Sequence, residues 1–213
     1  MINKIKTIIW DWNGTLLNDI DICIDSINIL LEHRNIEKLT KKIYKEIFTF
    51  PVKDYYSKAG FDFTKEDFDI PATEFINIYN HRIIDADLFQ EVTSVLEHFK
   101  NRNYQQLIIS AMEQDSLVRS IFDKRINNYF THISGINDHY AVSKVENAKN
   151  LIKKANINPN QVCMIGDTIH DFEVAGEIGC NCIIVANGHQ SYKRLEPLNC
   201  TVVNKLTDVI KYF

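Results

Sequence analysis

The sequence predicts an α/β fold: a doubly wound parallel sheet core with an inserted α-helical cap. Three observations carry this. Short apolar runs alternate with amphipathic helical patterns through most of the chain. The runs ending at Trp10, Ile109 and Ile165 are apolar almost throughout, as expected of strands buried on both faces. Between the first two of them, from about Asn18 to Asp87, the pattern is helical with no convincing strand. A helical insert between two strands of a parallel sheet reads more naturally as a separate cap than as part of the core. The expected division is 1–17 and 88–213 for the core and 18–87 for the cap.

Taken in order, the first strand covers roughly Ile5 to Trp10. Asn18 or Asp19 is placed to cap the following helix, where Ile20, Ile24, Ile27 and Leu31 recur at helical spacing. Thr40 caps a short helix holding Ile43 and Ile47. Lys53 to Ala59 is helical, with Gly60 as its stop. Pro71 suits the first turn of a helix carrying Phe75, Ile78 and Tyr79. Back in the core, Val92, Val95, Leu96 and Phe99 form one helical face, and Leu117, Val118, Ile121 and Phe122 another. Strands are expected at Gln106–Ser110, Phe130–Ser134, Gln161–Ile165 and Cys182–Ala186, with Thr201–Val203 as an edge strand. Helices carry Val145 to Ala155 and Phe172 to Ile178, the latter stopped by Gly179.

At 213 residues the chain suits one α/β domain or a domain with a modest insert. A net charge of −4, with no long Lys/Arg run, argues against a nucleic-acid partner. Its 5 cysteines show neither zinc nor Cys-x-x-Cys spacing; Cys163 and Cys182 lie in apolar strand runs, as reduced cysteines do. No leader pattern and no membrane-length apolar run is read, so the expected location is cytoplasmic. The partner class is a small molecule, and the assembly a monomer or homodimer.

The chemistry concentrates at strand ends. Ile8-Ile9-Trp10-Asp11-Trp12-Asn13-Gly14-Thr15 is an apolar run broken by an aspartate, an amide, a glycine and a hydroxyl. Ligands of open parallel sheets bind just beyond the carboxyl ends of strands, where Asp11 is presented. Val162-Cys163-Met164-Ile165-Gly166-Asp167 repeats the design, and Asp171 follows at the start of a helix. Between them, Ser110 ends a strand and Lys144 opens a helix. Ser143 and Glu146 fit a capping box that puts Lys144 in the first turn, where a cation opposes the helix dipole and invites a functional explanation.

Asp11, Ser110, Lys144 and Gly166-Asp167-x-x-x-Asp171, in that order along the whole chain, resemble the haloacid dehalogenase superfamily. The resemblance implies a Rossmannoid core with a type-1 helical cap that closes over the site. It implies a Mg²⁺-dependent phosphatase acting on a small phosphorylated metabolite through an aspartyl-phosphate on Asp11. Asp11, Asp167 and Asp171 would hold the Mg²⁺, with the backbone carbonyl of Asn13 as a further ligand. Ser110, the backbone of Ala111 and Lys144 would bind the phosphate. Three carboxylates give a charge of about −3, which Lys144 and a divalent cation offset. Thr168 and Asp171 also fit a capping box, so Asp171 has a structural use as well. His170, between the two aspartates, is expected to be an exposed first-turn residue. The segment 50–61 resembles the specificity region of phosphoglycolate-phosphatase-like members, in which Lys53 would meet a substrate carboxylate; read from its residues alone, the segment is more simply a helix with a buried aromatic face.

The pattern breaks at Asn13. Most phosphatases of the superfamily have an aspartate there to protonate the leaving oxygen and later deprotonate water, and an amide cannot carry that proton. General acid–base catalysis typically contributes about 10²–10⁴-fold. The site is therefore expected to be specialised or impaired, and Asn13→Asp to raise turnover of a simple phosphomonoester. Two further readings stay open: a phosphonate hydrolase using an insert lysine (Lys41, Lys42, Lys45, Lys53 or Lys58) as Schiff-base former, and a non-catalytic phosphate-binding protein.

Overall fold

A computed structural model describes residues 5–136 and 142–213, and the side chains among them except those of 142 and 143. Six strands form one sheet: β1 (Thr7–Trp10), β4 (Gln105–Glu113), β5 (His132–Ile136), β6 (Val162–Gly166), β7 (Asn181–Val185) and β8 (Thr201–Val203). Their order is β5-β4-β1-β6-β7-β8, and every neighbouring pair is parallel. The chain winds outward from β1 through β4 to β5, then returns to lay β6, β7 and β8 on the other side of β1. The reversal falls between β1 and β6, which is where a doubly wound sheet opens a crevice for a ligand.

Alternation of side chains along each strand divides the core into two layers. Ile8 and Trp10 of β1, Ile108 of β4, and Cys163 and Ile165 of β6 face one cluster, completed by α5 (Val92–Asn101). Ile9, Leu107, Ile109, Val162 and Met164 face the other, covered by α7 (Val142–Lys154) and α8 (Ile169–Ile178). Trp10 packs edge-on against Phe99 at 5.8 Å, and its indole N–H donates to Gln106 at 3.0 Å. A fully buried aromatic of this kind costs about 3–5 kcal/mol to truncate.

Four helices, α1 (Ile20–His33), α2 (Lys41–Ile47), α3 (Val52–Ala59) and α4 (Asp69–Arg82), lie between β1 and β4 and bury their own cluster around Ile27, Leu31, Tyr44 and Tyr56. Thr40 caps α2 by accepting from the Ile43 N–H, and Gly60 ends α3 in the left-handed conformation. Arg34 ties the far end together by donating to Glu66 and Glu74. A short antiparallel ribbon that the sequence pattern did not reveal, β2 (Leu17–Asn18) with β3 (Asp87–Leu88), joins the insert to the sheet at both crossings. Two-residue strands carry too little periodicity to be read. Among the described residues the remaining α-helices are α6 (Gln114–Asp123) and the one-turn α9 (Tyr192–Leu195). Among the described residues no helix is long and apolar enough to cross a membrane.

Several local expectations change. β4 runs three residues past Ser110, with a register shift against β5 between Ile109 and Glu113. β5 starts two residues later than Phe130. Phe122 is exposed, because only Leu117 and Ile121 of α6 reach the sheet. α7 begins at Val142, so Ser143 falls within it instead of preceding it; its side chain, and with it the capping box, lies outside the described residues.

Candidate active site

β1 and β6 are neighbours in register, with Trp10 opposite Ile165. The residues that follow them, Asp11 and Asp167, therefore leave the sheet side by side. Asp171, in the first turn of α8, completes a group whose ligand oxygens lie within 4.8 Å of one another. Lys144, from the first turn of α7, reaches in from the other side. Its ammonium donates to Asp11 Oδ1 at 2.5 Å and to Asp171 Oδ1 at 2.7 Å. All four residues are at most 5% exposed. The structure thus brings together Asp11, Lys144, Asp167 and Asp171 from four separate elements.

Each carboxylate has a different environment. Asp171 is saturated: Oδ2 accepts from the Thr168 hydroxyl at 2.7 Å and from the backbone N–H groups of Thr168 and Asp167, while Oδ1 takes Lys144. This is the expected capping box with Thr168, present alongside the ion pair. Burial opposes the charge of Asp171, but Lys144 and these donors hold its pKa below the usual carboxylate range. Asp167 accepts from the Thr15 hydroxyl at 3.1 Å and the His189 N–H at 2.6 Å. Burial, reinforced by Asp171, pushes Asp167 up to about 6. Asp11 is pushed up to about 8, first by burial and then by Asp171 and Asp167, against the pull of Lys144. Three buried carboxylates facing one ammonium leave negative charge uncompensated. That donor set of hard oxygens fits a divalent cation, with Asp11 and Asp167 the freer ligands.

Close backbone approach makes room for this cluster. A Cβ on Gly188, in the loop after β7, would collide with the Asp167 carboxylate. Gly14 has φ of +73°, and a Cβ there would run into both Asp167 and His189.

A second buried group stands beside the first. The amide of Asn13 donates to Asp19 Oδ2 at 3.0 Å and to the Tyr79 hydroxyl at 2.7 Å. Tyr79 itself donates to the same Asp19 oxygen at 2.7 Å. Asp19 Oδ1 accepts the Gly14 N–H at 2.9 Å and faces His189 Nε2 at 3.4 Å. Asp19 occupies the position before α1, as the sequence suggests, yet makes no capping bond there. It turns into the site instead. Burial works against both partners' charges, but the pairing wins: Asp19 is held below the usual range and His189 is raised to about 9. The other ring nitrogen of His189 meets the Tyr44 hydroxyl of α2 at 2.9 Å.

Asp19, Tyr79 and His189 are functional candidates that sequence reasoning missed. Asp19 resembles an ordinary N-cap, and Tyr79 sits on a helix face that looks like plain core. His189 had a usable signal: an apolar strand ending at Val185, then Asn187-Gly188, the same motif grammar as at Asp11 and Asp167.

Ser110 and Ala111 line the cavity that opens from Asp11. Ser110 donates to the side-chain amide oxygen Oδ1 of Asn13 at 3.3 Å and accepts from the Met112 N–H at 3.0 Å. Lys53 is not brought to the site: it is exposed on α3, with its ammonium 5.7 Å from the centre of the Phe63 ring. His170 is half-buried, not exposed; its ring lies 4.8 Å from that of Phe50 in the insert, and its Nε2 has no partner among the described residues. None of the insert lysines is among the described cavity-lining residues.

The segment after β7, through α9, fastens the insert over the site. Arg194 donates to the carbonyls of Lys45 and Phe48, Gln190 donates to Phe48, and Lys45 donates to Asn187.

This geometry agrees with three comparisons. The curated Pyrophosphatase PpaX of Bacillus mycoides (strain KBAB4) is 20% identical over 209 residues, covering 97% of this chain and 96% of the relative. A haloacid dehalogenase-like hydrolase from Streptococcus pneumoniae shares the fold with a TM-score of 0.85 at 19% identity, over 99% of both chains. A predicted phosphatase from Clostridium acetobutylicum does so with a TM-score of 0.78 at 18% identity, over 98% of this chain and 97% of that one. The sequence model for haloacid dehalogenase-like hydrolases matches residues 8–185, a span holding Asp11, Ser110, Lys144, Asp167 and Asp171. With strand order, acidic cluster and family match in agreement, the chain belongs to the haloacid dehalogenase-like hydrolases.

Proposed function

We propose that this protein is a Mg²⁺-dependent phosphatase of a small phosphorylated metabolite, with Asp11 as nucleophile and residues 18–87 as its cap. The observation that carries the reading is the convergence of Asp11, Asp167 and Asp171 on one buried point, with Lys144 bridging two of them. Asp11, Asp167, the Asn13 carbonyl and, less directly, Asp171 would hold the ion. When bound, it would offset the repulsion between the Asp11 carboxylate and a phosphate dianion.

The residues divide the work. A carboxylate oxygen of Asp11 attacks phosphorus and the bond to the leaving oxygen breaks, giving an aspartyl-phosphate. Lys144 keeps Asp11 oriented and lends positive charge to the phosphoryl oxygens. Ser110 and the backbone beyond it supply hydrogen bonds to the same oxygens. Water then attacks phosphorus, the Asp11 carboxylate is released, and phosphate leaves with the water's oxygen. Neither step has a proton carrier at Asn13. Its amide is engaged with Asp19 and Tyr79, so its role is positional.

The relatives' names support phosphoryl chemistry: one is a pyrophosphatase and another a predicted phosphatase. Phosphonate hydrolysis through an insert lysine gains no support, because the described lysine in the cavity is Lys144 of the core. The test is phosphate release from acetyl phosphate with and without Mg²⁺, in the native protein and in Asp11→Asn. Mg²⁺-dependent release that vanishes in Asp11→Asn is expected. Release that survives the substitution, or none from the native protein, contradicts the proposal.

A further inference from the structure

The cavity that opens from Asp11 holds about 470 Å³ and runs up into the insert. Its floor is polar: Asp11, Asn13, Ser110, Lys144 and Asp167. Its walls are not. Phe48, Tyr55, Tyr56, Phe75, Ile76 and Tyr79 line them, and their rings contact one another at 5.2–5.7 Å from Phe48 through Tyr55 to Tyr56 and from Phe75 to Tyr79. Beyond Lys144 and His189, no cationic side chain lines the cavity among the described residues, whereas Asp69 and Glu113 do. A second anionic group on the substrate, such as a carboxylate or another phosphate, would find no partner there and two repulsive ones. An aromatic ring would find faces and edges of its own kind. Tyr55 adds one polar position: it is 2% exposed, lines the cavity, and its hydroxyl has no hydrogen-bond partner among the described residues.

Asn13 points the same way by independent chemistry. An alkanol leaving group departs as an alkoxide unless it is protonated, and the residue in the proton donor's position is an amide already tied to Asp19 and Tyr79. A phenol ionises near pH 10, about six units below water itself, so a phenolate leaves without help.

We infer that the substrate class is the phosphate monoester of a phenol, bound with its ring between α3 and α4 and its phosphate over Asp11. This rests on the phosphatase reading above and narrows it. Asp11 attacks phosphorus, and the phenolate departs with the electron pair of the broken P–O bond and is protonated by solvent. Water then attacks the aspartyl-phosphate, Asp11 leaves as carboxylate, and the water's protons go to the released phosphate and to solvent.

The test compares kcat/KM with Mg²⁺ for phenyl phosphate, 2-phosphoglycolate, pyrophosphate and acetyl phosphate, in the native protein and in Ile76→Arg. Acetyl phosphate reads the catalytic centre with little demand on the cavity walls. Phenyl phosphate is expected to exceed 2-phosphoglycolate by about a hundredfold, the scale on which a missing acid discriminates leaving groups. Pyrophosphate, whose leaving phosphate needs no acid, is expected to fall behind phenyl phosphate through the repulsion that its second anionic group meets in the cavity. Ile76→Arg, which puts a cation among the rings, is expected to shrink that ratio roughly tenfold. Equal or better turnover of 2-phosphoglycolate or pyrophosphate, with acetyl phosphate hydrolysed, overturns the aromatic class and leaves the phosphatase standing. An unchanged ratio in Ile76→Arg also overturns it. Failure to hydrolyse even acetyl phosphate overturns both.

Discussion

Asp11 and Asp19 are eight positions apart, both buried, and both anionic side chains of one site, yet their surroundings are opposite in sign. Asp11 shares one ammonium with Asp171 and faces Asp167, so its acidity is weakened to about 8. Asp19 faces a histidine raised to about 9 and accepts four further hydrogen bonds, from Asn13, Tyr79, Gly14 and the Cys23 thiol. One neighbourhood is short of positive charge and is built to receive it. The other is already neutral and is built to hold a shape. Burial alone does not distinguish a ligand-binding carboxylate from a structural one; the balance of partners does.

The largest effect that separates the two neighbourhoods is expected at Asp11. Asp11→Asn should lower phosphate release by about 10⁴-fold or more, since the nucleophile itself is lost. Rapid-quench assays should then find no acid-stable aspartyl-phosphate. Next comes Lys144→Ala, which leaves two buried carboxylates without their cation. A loss of about 3–5 kcal/mol in urea unfolding of the metal-free protein is expected. Added Mg²⁺ should recover part of it, and no recovery would place the ion elsewhere.

Asn13→Asp tests the boundary between the groups. The new carboxylate would stand about 3 Å from Asp19, where two such groups share one proton. That proton is a usable acid, so turnover of an alkyl phosphomonoester should rise by roughly 10–100-fold. Adding Asp19→Asn should change the size of that gain, because the shared proton is gone. Equal gains in the single and double variants would show that Asp19 does not couple to position 13.

The pH dependence sharpens the same contrast. Cation binding needs the ionised forms of Asp11 and Asp167, whose acidities are weakened to about 8 and about 6. Below those values protons compete with the ion. Mg²⁺ affinity of the whole protein should therefore rise from pH 6 to 8 and level off above, by at most roughly tenfold per unit. Calorimetry in buffers of different ionisation enthalpy would show proton release in that window. The smallest effect is expected for Lys53→Ala: kcat/KM should stay within about twofold, since that side chain packs on Phe63 outside the cavity.

What was legible in the sequence follows from where the chemistry sits. Asp11 and Asp167 interrupt apolar runs; an Asx-turn after the strand would also explain Asp11 by itself, and it is the repetition of the design at Gly166-Asp167 that points to chemistry. Lys144 stood out because a helix N-terminus disfavours a cation. The parallel core was readable from strand–helix alternation. Asp19, Tyr79 and His189 were hidden by adequate ordinary explanations, a cap, a helix face and a loop, and only three-dimensional packing brings them onto Asn13. Lys53 failed for the converse reason: the α3 face that turns inward is the one with Tyr55 and Tyr56, which carries Lys53 to the outside.

The contrast between the two acidic groups also gives the most direct test of the whole account, because Asp19, Cys23 and His189 could themselves gather around an ion. Titration of Mn²⁺ followed by electron paramagnetic resonance, in the native protein, Asp167→Asn and Asp19→Asn, tells them apart. One ion per chain, lost in Asp167→Asn and retained in Asp19→Asn, is the predicted result. An ion that survives Asp167→Asn and disappears in Asp19→Asn would contradict it.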